Sequence, residues 1–488
     1  MNYLTSFSSK AILVIGMFLG ALLPGCALID PNPPLQLHSL DCDKKQPQPA
    51  VVAPIRWSAE TTGGKGVITY TFLTLYDSVV SIGQDGPRPY WDWVPKKPGK
   101  YRAKVVVSDE WGVTFESKWS DEFTIIPPIA RDGLIAVLPI DNLSGGEAPL
   151  DEIRETLGSS LSAKGFQIMD TDTIEQFRKK NRMRHTGGVS RRLAKAMQEE
   201  TGAEAFFITS LLEYADTYPP KVSLVSRLVL TGRQPKIFWI DSVGLVGNQS
   251  PGLLGLGLIK DPGLLTEKTI DRLSDSLVDY YNLIYHETDP YWEISVKYSE
   301  SHTDVPMKPS TFQLPSEYMP SFYFRSPIVD IDNQYTIAVI PLLNQSISKN
   351  AGRIIALHYI RELFNRTNFT VLEPGLVREE LLRFRAIMPA GPSLALADLI
   401  TSEQSLRADL VLSGKVFDLQ NMTDNPKINF SMQVIEGLNR KVVFSSRITG
   451  DGEKGVVFFD VGKIYSAHKL LAKMTKTTTR LLSTRNLP

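Results

Sequence analysis

The rhythm of hydrophobic positions changes several times along this 488-residue chain. Residues 11–23, AILVIGMFLGALL, are continuously apolar after a short polar start that ends at Lys10. The run is shorter than the ~20 apolar residues a membrane-spanning helix needs. LPGC (Leu23 to Cys26) follows it. An apolar core with small residues before a cut site predicts a secretory signal peptide over 1–25. Residues 26–50 contain PNPPLQLHSLDCDKKQPQPA, rich in Pro, Gln and Lys and without an apolar period. This predicts an extended, semi-rigid tether. Over 51–127, short β-rich runs (ITYTFLTLY, YWDWVP, YRAKVVVSD, FTII) are divided by turn stretches such as GQDGPRP and KKPGK. Strands recurring about every 8–12 residues predict an all-β sandwich.

Beyond residue 133 a different pattern begins, and it occurs twice. LIAVLPIDNLS (134–144) returns as TIAVIPLLNQS (336–346), pairing Ile135 with Ile337, Pro139 with Pro341, Asn142 with Asn344 and Ser144 with Ser346. FQIMD (166–170) pairs with FTVLE (369–373), and AEAFFITSLLEY (203–214) with ADLVLSGKVFDL (408–419). GLLGLGLIKD (252–261) loosely echoes GVVFFDVGKI (455–464). An ordered series of matches predicts an internal duplication. The units are expected over 128–286 and 334–488, joined by a linker over 287–333.

Within a unit, the first strand is apolar throughout, as in a sheet covered on both faces. Leu150, Ile153, Leu157 and Leu161 recur at helical spacing, with Pro149 suited to the first turn and Gly165 to the stop. FQIM reads as a second strand. Val189, Leu193 and Met197 mark another helical stretch, followed by three strands. A last helix carries Ile270, Leu273, Leu277, Tyr281 and Ile284. The expected order is β-α-β-α-β-β-β-α, and the second unit should end in a helix near 464–484. In the linker, Tyr291, Trp292, Tyr318, Phe322 and Phe324 are expected to pack on a neighbouring domain.

Four resemblances follow from these residues. Leu23 to Cys26 resembles the lipobox of bacterial lipoproteins, which implies that Cys26 becomes the lipidated first residue; Pro24 departs from the usual pattern before Gly25. Ala27 resembles the outer-membrane sorting pattern. Residues 98–125 resemble the immunoglobulin-like or "Y-Y-Y" modules of bacterial surface proteins, at Pro98, Gly99, Tyr101, Val105, Val107, Asp109, Gly112, Trp119 and Ser120. The repeated pattern resembles the TolB amino-terminal-domain fold, shared with the CsgG curli-secretion lipoprotein and with lipoprotein activators of peptidoglycan synthases. The fold class implied is multidomain: an immunoglobulin-like sandwich followed by two α/β TolB-N/CsgG-like domains. Such a fold hosts many functions.

Charge and composition narrow the partners. Basic and acidic residues balance at 53 each, and loss of Lys10 with the signal peptide leaves 52 against 53, a net charge of −1. Near neutrality gives no footing for nucleic acid and no overall pull toward anionic lipid, so membrane attachment rests on the lipid at Cys26. With Cys26 acylated, Cys42 stands alone. It reads as a solvated thiol in the tether. His38, His185, His286, His302, His358 and His468 are scattered singly, which gives no zinc-ligand spacing. No cofactor or metal is expected.

The chemistry that remains is sparse. RKKNRMRH is the one dense basic run: Arg178, Lys179, Lys180, Arg182 and Arg184 are a candidate patch for an anionic partner. A helix end running into a solvated loop is the structural alternative. DNLSGG (141–146) has neither a Rossmann nor a Walker spacing; Ser144 and Glu147 fit a capping box. GLLGLGLIKDPGLL (252–265) is either an exposed partner or membrane loop or a buried connection. Trp91, Trp93, Trp111 and Trp119 are either a sugar-stacking face or sandwich core, the core being favoured. Asp151–Glu152 and Glu379–Glu380 are expected on helix surfaces, and no GxSxG elbow is present. The expectation is a non-enzymatic outer-membrane lipoprotein facing the periplasm, a tether, scaffold or adaptor for other envelope proteins. Peptidoglycan and polysaccharide are further candidate partners. The alternative is a CsgG-like subunit of an oligomeric export channel, which needs membrane strands of about 9–11 residues; VSLVSRLVL (222–230) alternates imperfectly and already belongs to the core sheet.

Overall fold

The computed structural model describes residues 33–248, 258–285, 318–326, 334–384, 394–402, 404–421, 425–437, 439–454, 456 and 462–483. The signal peptide, Cys26, Tyr291 and Trp292 lie outside the described residues, as does most of the glycine-rich stretch before Leu258. The described chain is multidomain and built largely on sheets, with eight helices among the described residues.

The first module is a two-sheet sandwich. Its strands are β1 Gln36–Cys42, β2 Gln48–Pro49, β3 Ile55–Thr62, β4 Thr69–Tyr76, β5 Val79–Gly86, β6 Tyr90–Trp93, β7 Gly99–Ser108, β8 Thr114–Glu116 and β9 Phe123–Ile126. One sheet has the order β1-β3-β6; the other has the order β2-β9-β7-β4-β5, with β8 added to β7. Alternate residues of β7 (Tyr101, Ala103, Val105, Val107) point into a core shared with Trp57, Phe72, Trp91, Trp93 and Phe123. Period-two alternation therefore places one side of the strand inside and the other in water.

The tether expectation fails here, and of the two readings of the tryptophans the core one holds for Trp91 and Trp93. The tether over 26–50 does not hold for its described part, because β1 and β2 pair within the sandwich, with Leu35 and Ala50 in its core. Their polar residues face solvent from strands, so the lack of an apolar period reflects edge strands rather than free chain. Cys42 accordingly ends a strand, half-buried, and its thiol is raised by burial. The four tryptophans form no common stacking face: Trp91 and Trp93 are core, Trp111 is 74% exposed with the Lys65 amine 4.2 Å from its ring centroid, and Trp119 is half-buried beside Lys104.

The first α/β unit contains β10 Ile135–Val137, β11 Asp141–Asn142, α1 Leu150–Ala163, α2 Thr171–Lys180, α3 Arg191–Thr201, β12 Ala205–Ala215, β13 Lys221–Leu230, β14 Ile237–Val246 and α4 Pro262–Tyr285. The second unit contains β15 Phe322–Arg325, β16 Thr336–Val339, β17 Leu343–Asn344, α5 Ala351–Arg366, β18 Thr370–Val371, α6 Pro374–Arg383, α7 Leu394–Thr401, β19 Leu410–Gln420, β20 Lys427–Glu436, β21 Lys441–Asp451 and α8 Ala467–Ser483. The sheets run β10-β12-β13-β14 and β18-β16-β19-β20-β21-β15. In both, a parallel pair is followed by two antiparallel hairpins, and short β11 or β17 extends the parallel edge. The long hairpins carry bulges at matching places, Leu211/Glu213 and Val416/Asp418. Consecutive residues of β10 alternate between two cores, Ile135 and Val137 on one side and Ala136 on the other, as a twice-covered strand requires.

The units differ from expectation in detail. FQIM is reduced to a single bridge, Ile168 to Ile135, whereas its counterpart forms strand β18. An additional helix, α2, follows it, so each unit holds more helices than the repeat pattern predicts. Asp170 caps α2 by accepting from the Thr173 N–H at 2.8 Å. Ser144 and Glu147 make no capping box: α1 is preceded by Pro149, with no side-chain cap. Ser144 instead donates to Asn142 Oδ1 through both N–H (3.0 Å) and Oγ (2.7 Å), a turn repeated with the same distances at Asn344 and Ser346. Tyr318 is buried and donates to the Asp451 and Lys454 carbonyls. Phe322 and Phe324 stay exposed on edge strand β15, which pairs with β21. The glycine-rich echo is also offset. Ile259 and Ile464, not the residues aligned by sequence, donate equivalently to Gly247 and Gly452.

Candidate functional site

The two units pack on one another, and the site lies at that junction. Helix α5 is buried almost all round, between its own sheet and the outward face of β13 and β14. Its counterpart α1 keeps Asp151, Glu152, Glu155 and Ser159 in water. Four ion pairs cross the junction among the described residues, the longest being Arg191 to Glu380 at 3.9 Å. The Arg227 guanidinium donates through Nε and Nη2 to both oxygens of Glu373 at 2.9 Å, with both side chains wholly buried. Arg227 Nη2 also donates to the Gly187 carbonyl at 2.8 Å. Arg361 Nε donates to Asp241 Oδ1 at 3.1 Å, and Arg353 Nη2 to Asp141 Oδ2 at 2.6 Å.

Glu373 has a second task. It caps α6, accepting from the Gly375 N–H, and it accepts from the Val189 N–H of the first unit. Gly375 lies so close to the Val189 backbone that a Cβ would collide with it. Glu379 and Glu380, expected on a helix surface, are drawn into the same seam. Glu379 accepts from the Arg191 N–H, and Glu380 is buried beside Arg383. Two of the histidines also meet there. The rings of His358 on α5 and His468 on α8 lie 4.8 Å apart, fully buried, with no hydrogen-bond partner for any ring nitrogen among the described residues. Burial lowers both, His468 to about 3, so both are neutral imidazoles at neutral pH. The sandwich is tied in as well. The buried Lys96 amine donates to the Phe364 and Thr367 carbonyls at the end of α5, and burial pushes it down to about 7.

A cleft of about 410 Å³ opens at the edge of this seam. Such a size falls in the range of small-molecule sites, about 300–1,000 Å³. Its floor is apolar (Val339, Leu342, Ala356, Leu357, Ile360, Val377, Leu381), and its rim carries His185, Lys349, Arg353 and Arg378. It sits beyond the carboxyl ends of β16 and β18. From β16 the chain turns into α5 on one sheet face, and from β18 into α6 on the other, as their separate cores show. Crevices at such a reversal are where open α/β sheets place ligands.

The predicted basic patch does not coincide with this cleft. Arg178 pairs with Glu175 at 2.6 Å, and Lys180 with Glu200 at 3.1 Å. Lys179, Arg182 and Arg184 are exposed on the end of α2 and the loop after it. The cleft cations were missed because they come from separate places: Lys349 and Arg353 flank the start of α5, and Arg378 is on α6. Among the described residues, no group of three or more His, Cys, Asp or Glu is placed to hold a metal ion, and no helix is long and apolar enough to cross a membrane.

No family model and no curated protein matches the chain. Among solved structures it is similar to the lipoprotein GNA1162 from Neisseria meningitidis, with 22% identity over 30% of this chain and 99% of that one, at a TM-score of 0.23. It is similar to a PelC dodecamer from Paraburkholderia phytofirmans (17% identity, 32% and 96% covered, TM-score 0.21). The LpoB C-terminal domain from Salmonella enterica is also similar (17% identity, 24% and 82% covered, TM-score 0.19). Likeness at these scores argues neither fold nor function.

Proposed function

We propose that this is a non-enzymatic lipoprotein of the bacterial envelope, held by a lipid on Cys26 at the periplasmic face of the outer membrane. Its immunoglobulin-like sandwich and two TolB-N/CsgG-like units act as one rigid tether, scaffold or adaptor for other envelope proteins. The signal peptide and lipobox support the anchoring. One observation carries the adaptor role: buried ion pairs fuse the two units, while the outward sheet face of the second unit is polar. In a repeating array each inner unit buries an apolar face on both sides, and capping units close it with a polar outer face. The export-channel alternative would call on β13 as a membrane strand. In this reading β13 is committed to the junction, buried at every position.

Light scattering on the detergent-extracted lipoprotein tests this. A monomer or dimer is expected; a discrete ring of many subunits would overturn the adaptor reading in favour of the channel. Replacing Cys26 by Ser should release the protein from the outer-membrane fraction, and retention there would remove the anchoring role.

A further inference from the structure

The duplication supplies an internal control for the cleft. In the first unit the equivalent crevice is plugged. Arg154 on α1 is buried, donates through Nε and Nη2 to the Val137 carbonyl at 3.2 and 3.0 Å, and pairs through Nη1 with Glu175 on α2 at 2.8 Å. The alignment that pairs Ile135 with Ile337 places Ala356 where Arg154 stands and Val339 where Val137 stands. The alignment that pairs Asp170 with Glu373, the two caps, places Arg378 where Glu175 stands. The second unit has therefore lost the plugging side chain, and its partner's charge is reversed. Val339, Ala356 and Arg378 all line the open cleft.

The rim charges are only partly met internally. Arg353 is paired with Asp141. Among the described residues, neither Arg378 nor Lys349 forms a salt bridge, although the Asp141 carboxylate also acts on Arg378 from a distance. An apolar hole lined by Lys349, Arg353 and Arg378 and by no acidic residue carries an excess of positive charge at its mouth, complementary to an anion on an apolar body.

The structure assigns this cleft as a binding site for an anionic amphiphile, a single apolar chain ending in a carboxylate or phosphate, with the head at Arg378 and Lys349 and the chain over Ala356. The assignment stands whether or not the protein is an adaptor. Free acids and lipid headgroups share this chemistry, and the choice of head group separates them.

The test is calorimetric titration of the full mature chain, carrying Cys26→Ala so that its own lipid is absent. The probes are dodecanoate, dodecyl phosphate and dodecyltrimethylammonium, each below its micelle concentration. Saturable one-site binding of at least one anionic probe, and none of the cationic one, is expected. Preference for dodecanoate indicates a free acid, and preference for dodecyl phosphate a phosphate headgroup. The double variant Ala356→Arg/Arg378→Glu rebuilds the first unit's plug and should weaken binding by about tenfold or more, as loss of a charged hydrogen bond does. Lys349→Glu, at an exposed position, gives a second reading if the double variant does not fold, and should also weaken the anionic probe. Equal binding of anionic and cationic chains, no binding at all, or unchanged affinity in a folded double variant would each overturn the assignment.

Discussion

Strands β12–β14 and β19–β21 follow one plan, down to their bulges, yet their outward faces differ in chemistry. Across the first sheet one rung reads Ile208–Arg227–Ile240, and the next Ser210–Val225–Ser242. The matching rungs of the second read Ser413–Gln433–Ser445 and Lys415–Ser431–Arg447. The first face is wholly buried beneath α5 and α8. On the second, Lys415, Ser431, Gln433 and Ser445 are half-buried and Arg447 is exposed, its guanidinium 4.7 Å from the Phe417 ring centroid. A shared backbone thus supports either an interior wall or a wetted surface. The choice rests on about six side chains per sheet, consistent with the rule that sheet preferences are set by what the pleated face packs against.

The largest expected effect breaks the comparison at its central rung. Arg227→Met leaves the Glu373 carboxylate buried and unpaired, and should cost about 3–5 kcal/mol. Gln433→Met, at the matching place on β20, should stay within about 0.5 kcal/mol. Urea melts of the two variants decide it; similar losses would mean that the junction does not depend on the pair. The double variant Arg227→Met/Glu373→Leu should recover much of the loss, because a well-packed apolar pair often replaces a buried ion pair without penalty. Next in size is Val225→Ser, which puts the second unit's residue into the buried face. Loss of apolar contact plus an unsatisfied hydroxyl should cost about 2–3 kcal/mol, while Ser431→Val on the open face should be near neutral in the same melts.

How much of this was legible in the chain depends on the range of the interaction. Periodicity marked the long strands, α1, α4 and α8, because each buries a continuous apolar face of its own. Only the basic end of the short helix α2 was read as a helix end, because its sequence, TDTIEQFRKK, carries just two buried apolar residues, Ile174 and Phe177. β1 read as tether because an edge strand needs only one buried side. The junction was not legible at all. Arg227 and Glu373 are far apart in sequence, and a lone arginine inside VSLVSRLVL looks like an imperfection in a strand until its partner is seen. His358 and His468 likewise looked scattered and lie side by side, their ring planes tilted by 52°. The cleft was partly readable, because the Arg154/Ala356 and Glu175/Arg378 differences lie in the aligned repeats; their meaning required knowing that Arg154 fills space.

The histidine pair gives the junction a pH dependence. His468 packs against Gly244 of β14, and the pair lies near Arg361 of α5 and Glu213 of β12, with Glu362, Asp241 and Lys221 also in the seam. Both imidazoles are lowered in the folded state, so the unfolded chain binds more protons below the ordinary histidine value of about 6.5, and stability falls as pH falls. Burial raises the Glu213 carboxyl, which acts in the opposite sense down to its unfolded value near 4.5. Two imidazoles stand against one carboxyl, so the net sense is a loss of stability as pH falls from about 6.5 to 4.5. Thermal melts across that range should show it, and His358→Leu/His468→Leu should flatten it. A wild-type profile flat over the range would rule out neutral imidazoles at the junction. Glu213→Gln should steepen the loss.

The smallest effect concerns a feature the two units share. Asn142 and Asn344 each accept from the N–H and Oγ of the serine two residues on, and each donates through Nδ2 to a carbonyl four residues on, Gly146 or Ser348. These bonds close the loop between the first strand and its helix, a local task independent of what covers the sheet. Replacing either asparagine by Ala should cost about 1 kcal/mol, the net worth of a typical hydrogen bond. The two costs should agree within the error of a urea melt. A distinctly larger loss at Asn142 would locate extra strength in the junction, because the carbonyl of the next residue, Leu143, accepts from Asn350 Nδ2 across it at 3.1 Å. Among the described residues, the loop after Asn344 accepts no equivalent hydrogen bond from the other unit. Agreement would mean that the loops are inherited unchanged from the duplication, and that divergence between the copies is confined to the faces they turn outward and to the filled or open crevice.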